Sequence, residues 1–132
     1  MEQRAKEELR FYLIMTIQEE PVHDFAPLIL GMPSGDSVLP VFNREELAEE
    51  FLESTLHLGS ILVWEFDADL FLRKLIALIL SGAAQYVVED PPTEGPEALV
   101  DAVKRGDSSI YSINNATKAM AQYLNERLPK EY

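Results

Sequence analysis

The sequence predicts an α+β fold: a mixed sheet of about five strands, with a β-hairpin, a βαβ unit and a helical C-terminal segment. Three observations carry this expectation. Short β-branched and aromatic runs alternate with longer segments of helical periodicity. Pro and Gly stand between these runs at turn positions. Hydrophobic residues make up 47% of the 132-residue chain, enough for a packed core in one domain without disulfides or a metal.

Taken in chain order, residues 1–9 have helix-forming composition, and the continuous apolar run Phe11–Ile17 predicts a strand covered on both faces. Ala26–Met32 predicts a second strand. Pro33-Ser34-Gly35-Asp36 then turns the chain into a third, Ser37–Phe42, making a β-hairpin. Pro40 lacks a backbone donor and places that third strand at an edge or a bulge. Asn43 with Glu46 three residues later forms a capping box for an acidic helix whose apolar stripe is Leu47, Phe51 and Leu52, extended by Leu56. After Gly59 comes the strand Ser60–Phe66. Asp67 caps an apolar helix from Ala68 to Leu80, Gly82 closes it, and Ala84–Val88 forms a further strand. Strand, helix and strand at this spacing predict a parallel βαβ unit. Glu94-Gly95-Pro96 opens a short helix to Arg105 with Gly106 as its stop. Ser109–Leu128 reads as a final helix carrying Ile110, Ile113, Met120, Tyr123, Leu124 and Leu128 mainly along one side. The chain is expected to be a single domain, 1–132, with an α+β core over 10–92 and a helical segment over 96–132 packed on it.

Charge narrows the functional classes. The chain has 11 Lys and Arg against 23 Asp and Glu, for a net charge of −12. Such a surface repels phosphate backbones and anionic lipids, so neither nucleic acid nor a membrane is an expected partner. The acids are concentrated: residues 43–97 hold twelve acids and three bases, whereas 98–132 hold four acids and five bases. The apolar run Leu75–Leu80, which follows Arg73 and Lys74, falls far short of a bilayer span. Acids lie among Arg4, Lys6 and Arg10, and Gln18-Glu19-Glu20-Pro21 stands where a signal peptide would have a small-residue cleavage site. A cytoplasmic location is expected. The absence of cysteine excludes a disulfide framework, thiolate metal sites and a cysteine nucleophile.

Chemistry-bearing constellations are few. Glu65, Asp67 and Asp69 lie at a strand-to-helix junction, and Glu89 and Asp90 follow the next strand. In a parallel βαβ unit both loops lie beyond the carboxyl ends of their strands, where ligands bind, so Asp67, Asp69, Glu89 and Asp90 are candidates for holding Mg²⁺ or Ca²⁺ or for acid–base work. The same residues also have structural roles as helix cap, dipole complement and turn former, and these outweigh a metal-binding one. His23 and His57 lack a partner set for catalysis, and no Gly-x-Ser-x-Gly elbow or phosphate loop occurs. No catalytic residue and no cofactor is assigned. Trp64 shares a strand face with Leu62 and Phe66, so core packing is its expected fate, although a large aromatic beside an acidic rim also suits a partner surface.

Leu39-Pro40-Val41-Phe42-Asn43 followed by Arg44-Glu45-Glu46-Leu47 resembles the strand, Pro, Phe, polar cap and acidic helix of the SseB-type (enhanced serine sensitivity protein) N-terminal domain. The similarity spans about 10–92 and includes the strand Ala83–Val88 with its turn. Glu89-Asp90-Pro91-Pro92 departs from that family's Asn-Pro-Gly-like turn, and 96–132 has no counterpart. The resemblance implies a bacterial cytoplasmic α+β module and supplies no catalytic residues.

The functional expectation is a non-enzymatic binding or regulatory domain that engages a protein partner or another copy of itself. Its candidate surface comprises Glu45, Glu49, Glu53, Trp64, Glu65, Asp67, Asp69, Glu89 and Asp90. A homodimer through the C-terminal segment, a metal-dependent enzyme using the strand-end carboxylates, and an immunity-type inhibitor of a basic protein are the alternatives.

Overall fold

A computed structural model of the chain describes residues 9–18 and 24–127. Its order is β1 (Arg10–Gln18), β2 (Asp24–Pro27), β3 (Leu30–Gly31), β4 (Ser37–Val41), α1 (Glu45–Glu53), a 3₁₀ turn (Leu56–Leu58), β5 (Ser60–Asp67), α2 (Ala68–Ser81), β6 (Tyr86–Glu89), α3 (Pro96–Arg105), β7 (Ser109–Ser112) and α4 (Ile113–Arg127). The α+β class holds. Residues 1–8 of the segment with helix-forming composition, His23 and Leu128 lie outside the described residues, and Leu9 is not helical.

There are two sheets where a single sheet of about five strands was expected. One is antiparallel with order β2-β1-β5, and the other is mixed with order β3-β4-β6-β7. A reciprocal backbone pair joins them: Tyr12 N–H donates to Phe42 O at 2.8 Å, and Phe42 N–H donates to Tyr12 O at 3.0 Å. The expected strand Ala26–Met32 is split for the same reason. Its first half pairs with β1, Leu28 N–H donates to Ile14 O at 2.8 Å, and Leu30–Gly31 crosses to β4 in the other sheet.

The hairpin forms as expected between β3 and β4. Met32 N–H donates to Asp36 O, Gly35 N–H donates to Met32 O, and Gly35 takes φ +97°, a conformation that glycine adopts without a Cβ clash. Pro40 is not on an edge strand, since β4 lies between β3 and β6. It is tolerated because Val41 O accepts from Asp90 N–H, which fixes odd-numbered β4 residues toward β6. The nitrogen of Pro40 therefore points away from β6, beyond the end of the two-residue β3.

The parallel βαβ unit over residues 60–88 is not formed. β5 pairs with β1, and the parallel partner of β6 is β4. The helix between them matches the expectation. The Asp67 side chain accepts from Leu70 N–H at 2.8 Å, and Gly82 closes α2 in the left-handed conformation. Residues 109–112, expected to be helical, form β7 against β6. The Ser112 hydroxyl accepts from Asn115 N–H at 3.1 Å, and α4 begins at Ile113. A serine cap ended the apolar periodicity one turn inside the segment that reads as a helix.

Two cores result. Phe11, Leu13, Met15, Leu39, Val41, Phe66, Phe71, Leu75 and Ile113 fill the side covered by α2 and α4, with Ala116 and Met120 against them. Ile14, Leu28, Val38, Phe42, Ala48, Phe51, Val88 and Leu99 fill the side of α1 and α3. Leu56, expected to extend the α1 stripe, is exposed because α1 ends at Glu53 and the 3₁₀ turn rotates it outward. No helix among the described residues is long and apolar enough to cross a membrane.

Phe42 is 0% exposed, packs on Phe51 at 5.4 Å between ring centroids, and carries the bond between the sheets. Phe42→Ala is therefore expected to cost about 3–5 kcal/mol in urea unfolding. Leu80→Ser, at a residue 82% exposed, should stay within about 0.5 kcal/mol of the wild type.

Candidate functional site

The carboxylates singled out in the sequence fall into separate groups. At the carboxyl ends of β4 and β6, Asn43 donates its backbone N–H to Asp90 Oδ1 at 2.9 Å. Its side-chain Nδ2 donates to Glu89 Oε2 at 2.7 Å and to Asp90 Oδ2 at 2.8 Å. The Tyr111 hydroxyl donates to Glu89 Oε1 at 3.2 Å from the neighbouring strand β7. Asp90 has φ +48°, the single positive value at a non-glycine position among the described residues, and its N–H donates to Val41 O. Aspartate tolerates this region better than most residues. Asn43 is thus not the cap of α1: Arg44 occupies that position, and the asparagine is used to bring two acids side by side.

Below this knot, between the sheet and α4, is a cavity of about 290 Å³. Phe11, Phe71 and Val87 form its floor, Ala116, Ala119 and Met120 its helical wall, and Glu89, Tyr111 and Asn115 its polar side. Phe11 and Phe71 stack with centroids 4.3 Å apart.

The second group surrounds β5. Glu65 pairs with Arg10 at 2.9 Å across β1 and stands opposite Tyr12 in the register. Burial and then the negative charges of Glu65 and Glu45, with a smaller part from Glu46, push the Tyr12 hydroxyl above its ordinary pKa, while Arg10 opposes them. The half-buried tyrosine thus lies within reach of acids from both the start of α1 and the outer part of β5. Glu45, Glu49 and Glu53 are all exposed on α1.

Asp67 and Asp69 do not join Glu89 and Asp90. Asp67 caps α2, and Asp69 pairs with Arg73 one turn on at 3.2 Å. Among the described residues no three or more His, Asp or Glu side chains are grouped to hold a metal ion. His57 is exposed in the 3₁₀ turn.

Trp64 is not in the core. It is 46% exposed, with Phe25 edge-on at 5.5 Å and Phe66 at 6.3 Å. Its face of β5 matches the alternation: Phe66 is buried and Leu62 is partly buried against the same core, while Trp64 between them stays open beside Leu70, Arg73 and Lys74 of α2. A hollow of about 410 Å³ is left, lined by Phe25, Trp64 and Leu70 and flanked by Glu65, Arg73 and Lys74.

β5 is also an edge strand. Because Tyr12 turns its N–H and C=O toward Phe42, the bonded partners across β1 and β5 are Phe11 with Phe66, Leu13 with Trp64 and Met15 with Leu62. Val63 and Glu65 therefore present their backbone N–H and C=O to the other side, where no strand among the described residues pairs with them.

Sequence reading missed Asn43, Tyr111 and Asn115 as site residues. The signal for Tyr111 was Ser-Ile-Tyr-Ser, which read with period two rather than 3.6 puts a tyrosine diagonal to Glu89 on the neighbouring strand. No known family's model matches this chain, and no curated protein is significantly similar to it.

Two measurements follow. Asn43→Ala leaves Glu89 and Asp90 adjacent without their shared donor and should lower stability by about 1–3 kcal/mol, read from the urea midpoint. The Tyr12 phenol, followed by the ¹³C shift of its own ring Cζ, should ionise above pH 10.0. Because the proton is held more tightly in the folded state, stability falls as pH rises from 10.0 through the folded-state value. Glu65→Gln should move the Tyr12 midpoint down; an unchanged midpoint would show that Glu65 does not act on it.

Proposed function

We propose that this chain is a non-enzymatic binding domain that takes an extended, basic segment of a partner protein along the free edge of β5. One observation carries the reading: an eight-residue strand, Ser60–Asp67, whose outward backbone groups at Val63 and Glu65 have no pairing strand among the described residues. An added strand satisfies those groups, and alternate side chains supply specificity. On one side of the edge lies the acidic field of Glu45, Glu46 and Glu65, and on the other the Trp64–Phe25–Leu70 hollow.

Charge selects the partner. A segment alternating apolar with Lys or Arg residues places its apolar side chains against Trp64 and its cations toward Glu65 and α1. A second copy would instead bring another surface of net charge −12 against the first. Glu65 and the bulge opposite Met15–Thr16 also discourage self-pairing of this edge. The similarity of residues 10–92 to the SseB-type domain, and a cytoplasmic setting for a chain without cysteine, belong to the same proposal.

Arrays of eight-residue peptides, varied in charge and apolar alternation, test it, with Trp64 fluorescence as the solution readout. Alternating apolar and basic peptides should bind and shift the Trp64 emission to the blue. Val63→Pro, which removes an outward N–H, should abolish binding. Glu45, Glu49 and Glu53 changed together to Lys should weaken it at least about tenfold and flatten its salt dependence. Binding that ignores peptide charge, or that survives Val63→Pro, would contradict the proposal.

A further inference from the structure

We infer that the cavity beneath α4 is a binding site for a small apolar amine, held by the Glu89 carboxylate at its polar side. The cavity is distinct from the Trp64 hollow: it lies between β1, β4, β6 and β7 on one side and the α2–α4 pair on the other, and the two share no lining residue.

An apolar cavity of about 150 Å³ holds a benzene ring, so about 290 Å³ has room for a ring and a short carbon arm. The floor and wall supply no polar group. Phe11 and Phe71 present a stacked aromatic surface, and Ala116 and Ala119 are the small side chains that leave the space open along α4. Apolar ligands enter such sites because they leave water without forfeiting hydrogen bonds.

The polar side decides the head group. Glu89 is half-buried, and its two oxygens accept one hydrogen bond each, from Asn43 Nδ2 and from the Tyr111 hydroxyl. A carboxylate accepts about four hydrogen bonds, so each oxygen keeps acceptor capacity. The two existing donors fix its orientation, so a cation entering the cavity meets a preorganised acceptor. Among the residues lining the cavity there is no Lys, Arg or His, so an anionic head group would find Glu89 with nothing to offset it. A neutral alcohol can donate to Glu89 but forgoes the charge. The ligand class is thus a primary or secondary amine on a hydrocarbon body of about eight to ten heavy atoms, sized from that volume comparison.

Three probes with similar bodies separate these head groups: 2-phenylethylamine, 2-phenylethanol and phenylacetate. They are titrated into the ¹⁵N-labelled full chain, with chemical shifts followed at Val87, Tyr111, Ala116 and Ala119. The amine should bind at least about tenfold more tightly than the alcohol, the difference a charge-assisted hydrogen bond confers. Phenylacetate should not bind. Glu89→Gln should reduce the amine's affinity to that of the alcohol, and Ala119→Phe, which fills the cavity from an exposed helix position, should abolish binding of both. Should Glu89→Gln fail to fold by thermal melting, the Ala119→Phe arm decides alone. Equal affinity for amine and alcohol, binding of phenylacetate, amine binding that survives Ala119→Phe, or no shifts at these residues up to about 10 mM probe, far above a micromolar site, would each overturn the inference. The β5 proposal stands or falls separately, because Trp64 reports that edge and not this cavity.

Discussion

The architecture depends on one reciprocal backbone pair. Tyr12 and Phe42 exchange hydrogen bonds at 2.8 and 3.0 Å, and through them the antiparallel sheet of β1, β2 and β5 continues into the mixed sheet of β3, β4, β6 and β7. The pair fixes which way the backbone of β1 faces. Tyr12 turns to Phe42, so Phe11, Leu13 and Met15 turn to β5, and the alternation along β5 follows, with Val63 and Glu65 left facing outward. It also assigns the side chains: Leu13 and Met15 to the core under α2 and α4, and Ile14 to the core under α1 and α3. A chain of this length builds two cores because the joined sheets carry apolar residues on both faces.

The negative charge acquires structure within this frame. The Glu45–Glu53 helix lies against the side of β5 that carries Glu65, and burial, followed by the charges of Glu65 and Glu45, raises the pKa of Tyr12 between them. Glu89 and Asp90 belong elsewhere, drawn together by Asn43 at the ends of two parallel strands. Two acids placed so close are stable there because one asparagine donates three times, and because the peptide at Asp90 accepts a left-handed turn that lets its N–H reach Val41. An acidic edge strand and an apolar cavity with a carboxylate at its polar side are different devices. No residue that lines one of them lines the other.

Much of the fold was legible because local chemistry governed it. The Asp67 cap, the Gly82 and Gly106 helix ends, Pro96 opening α3 and the Met32–Asp36 turn were each written in a few adjacent residues. What was not legible was long-range. Ala26–Met32 reads as one strand, and only the competition between β1 and β4 for its two halves divides it. The βαβ unit failed likewise, since helix and strand lengths do not say that β5 pairs with β1 while β6 pairs with β4. Asn43 looked like a cap because asparagine before an acidic turn usually is one; the acids 46 and 47 residues away captured its side chain instead. Trp64 was assigned to the correct face, but burial depends on how closely α2 seats on that face, and at Trp64 a hollow separates the strand from Leu70, Arg73 and Lys74.

Among the described residues β5 is an edge strand with Val63 and Glu65 turned outward, and amide hydrogen exchange reads that directly. In the isolated protein the N–H groups of Val63 and Glu65 should exchange orders of magnitude faster than those of Leu62, Trp64 and Phe66, which donate into β1, and a bound basic strand should slow the outward pair selectively. Uniform slow exchange along 62–66 in the unliganded chain would mean that the edge is already paired, and would contradict the central claim.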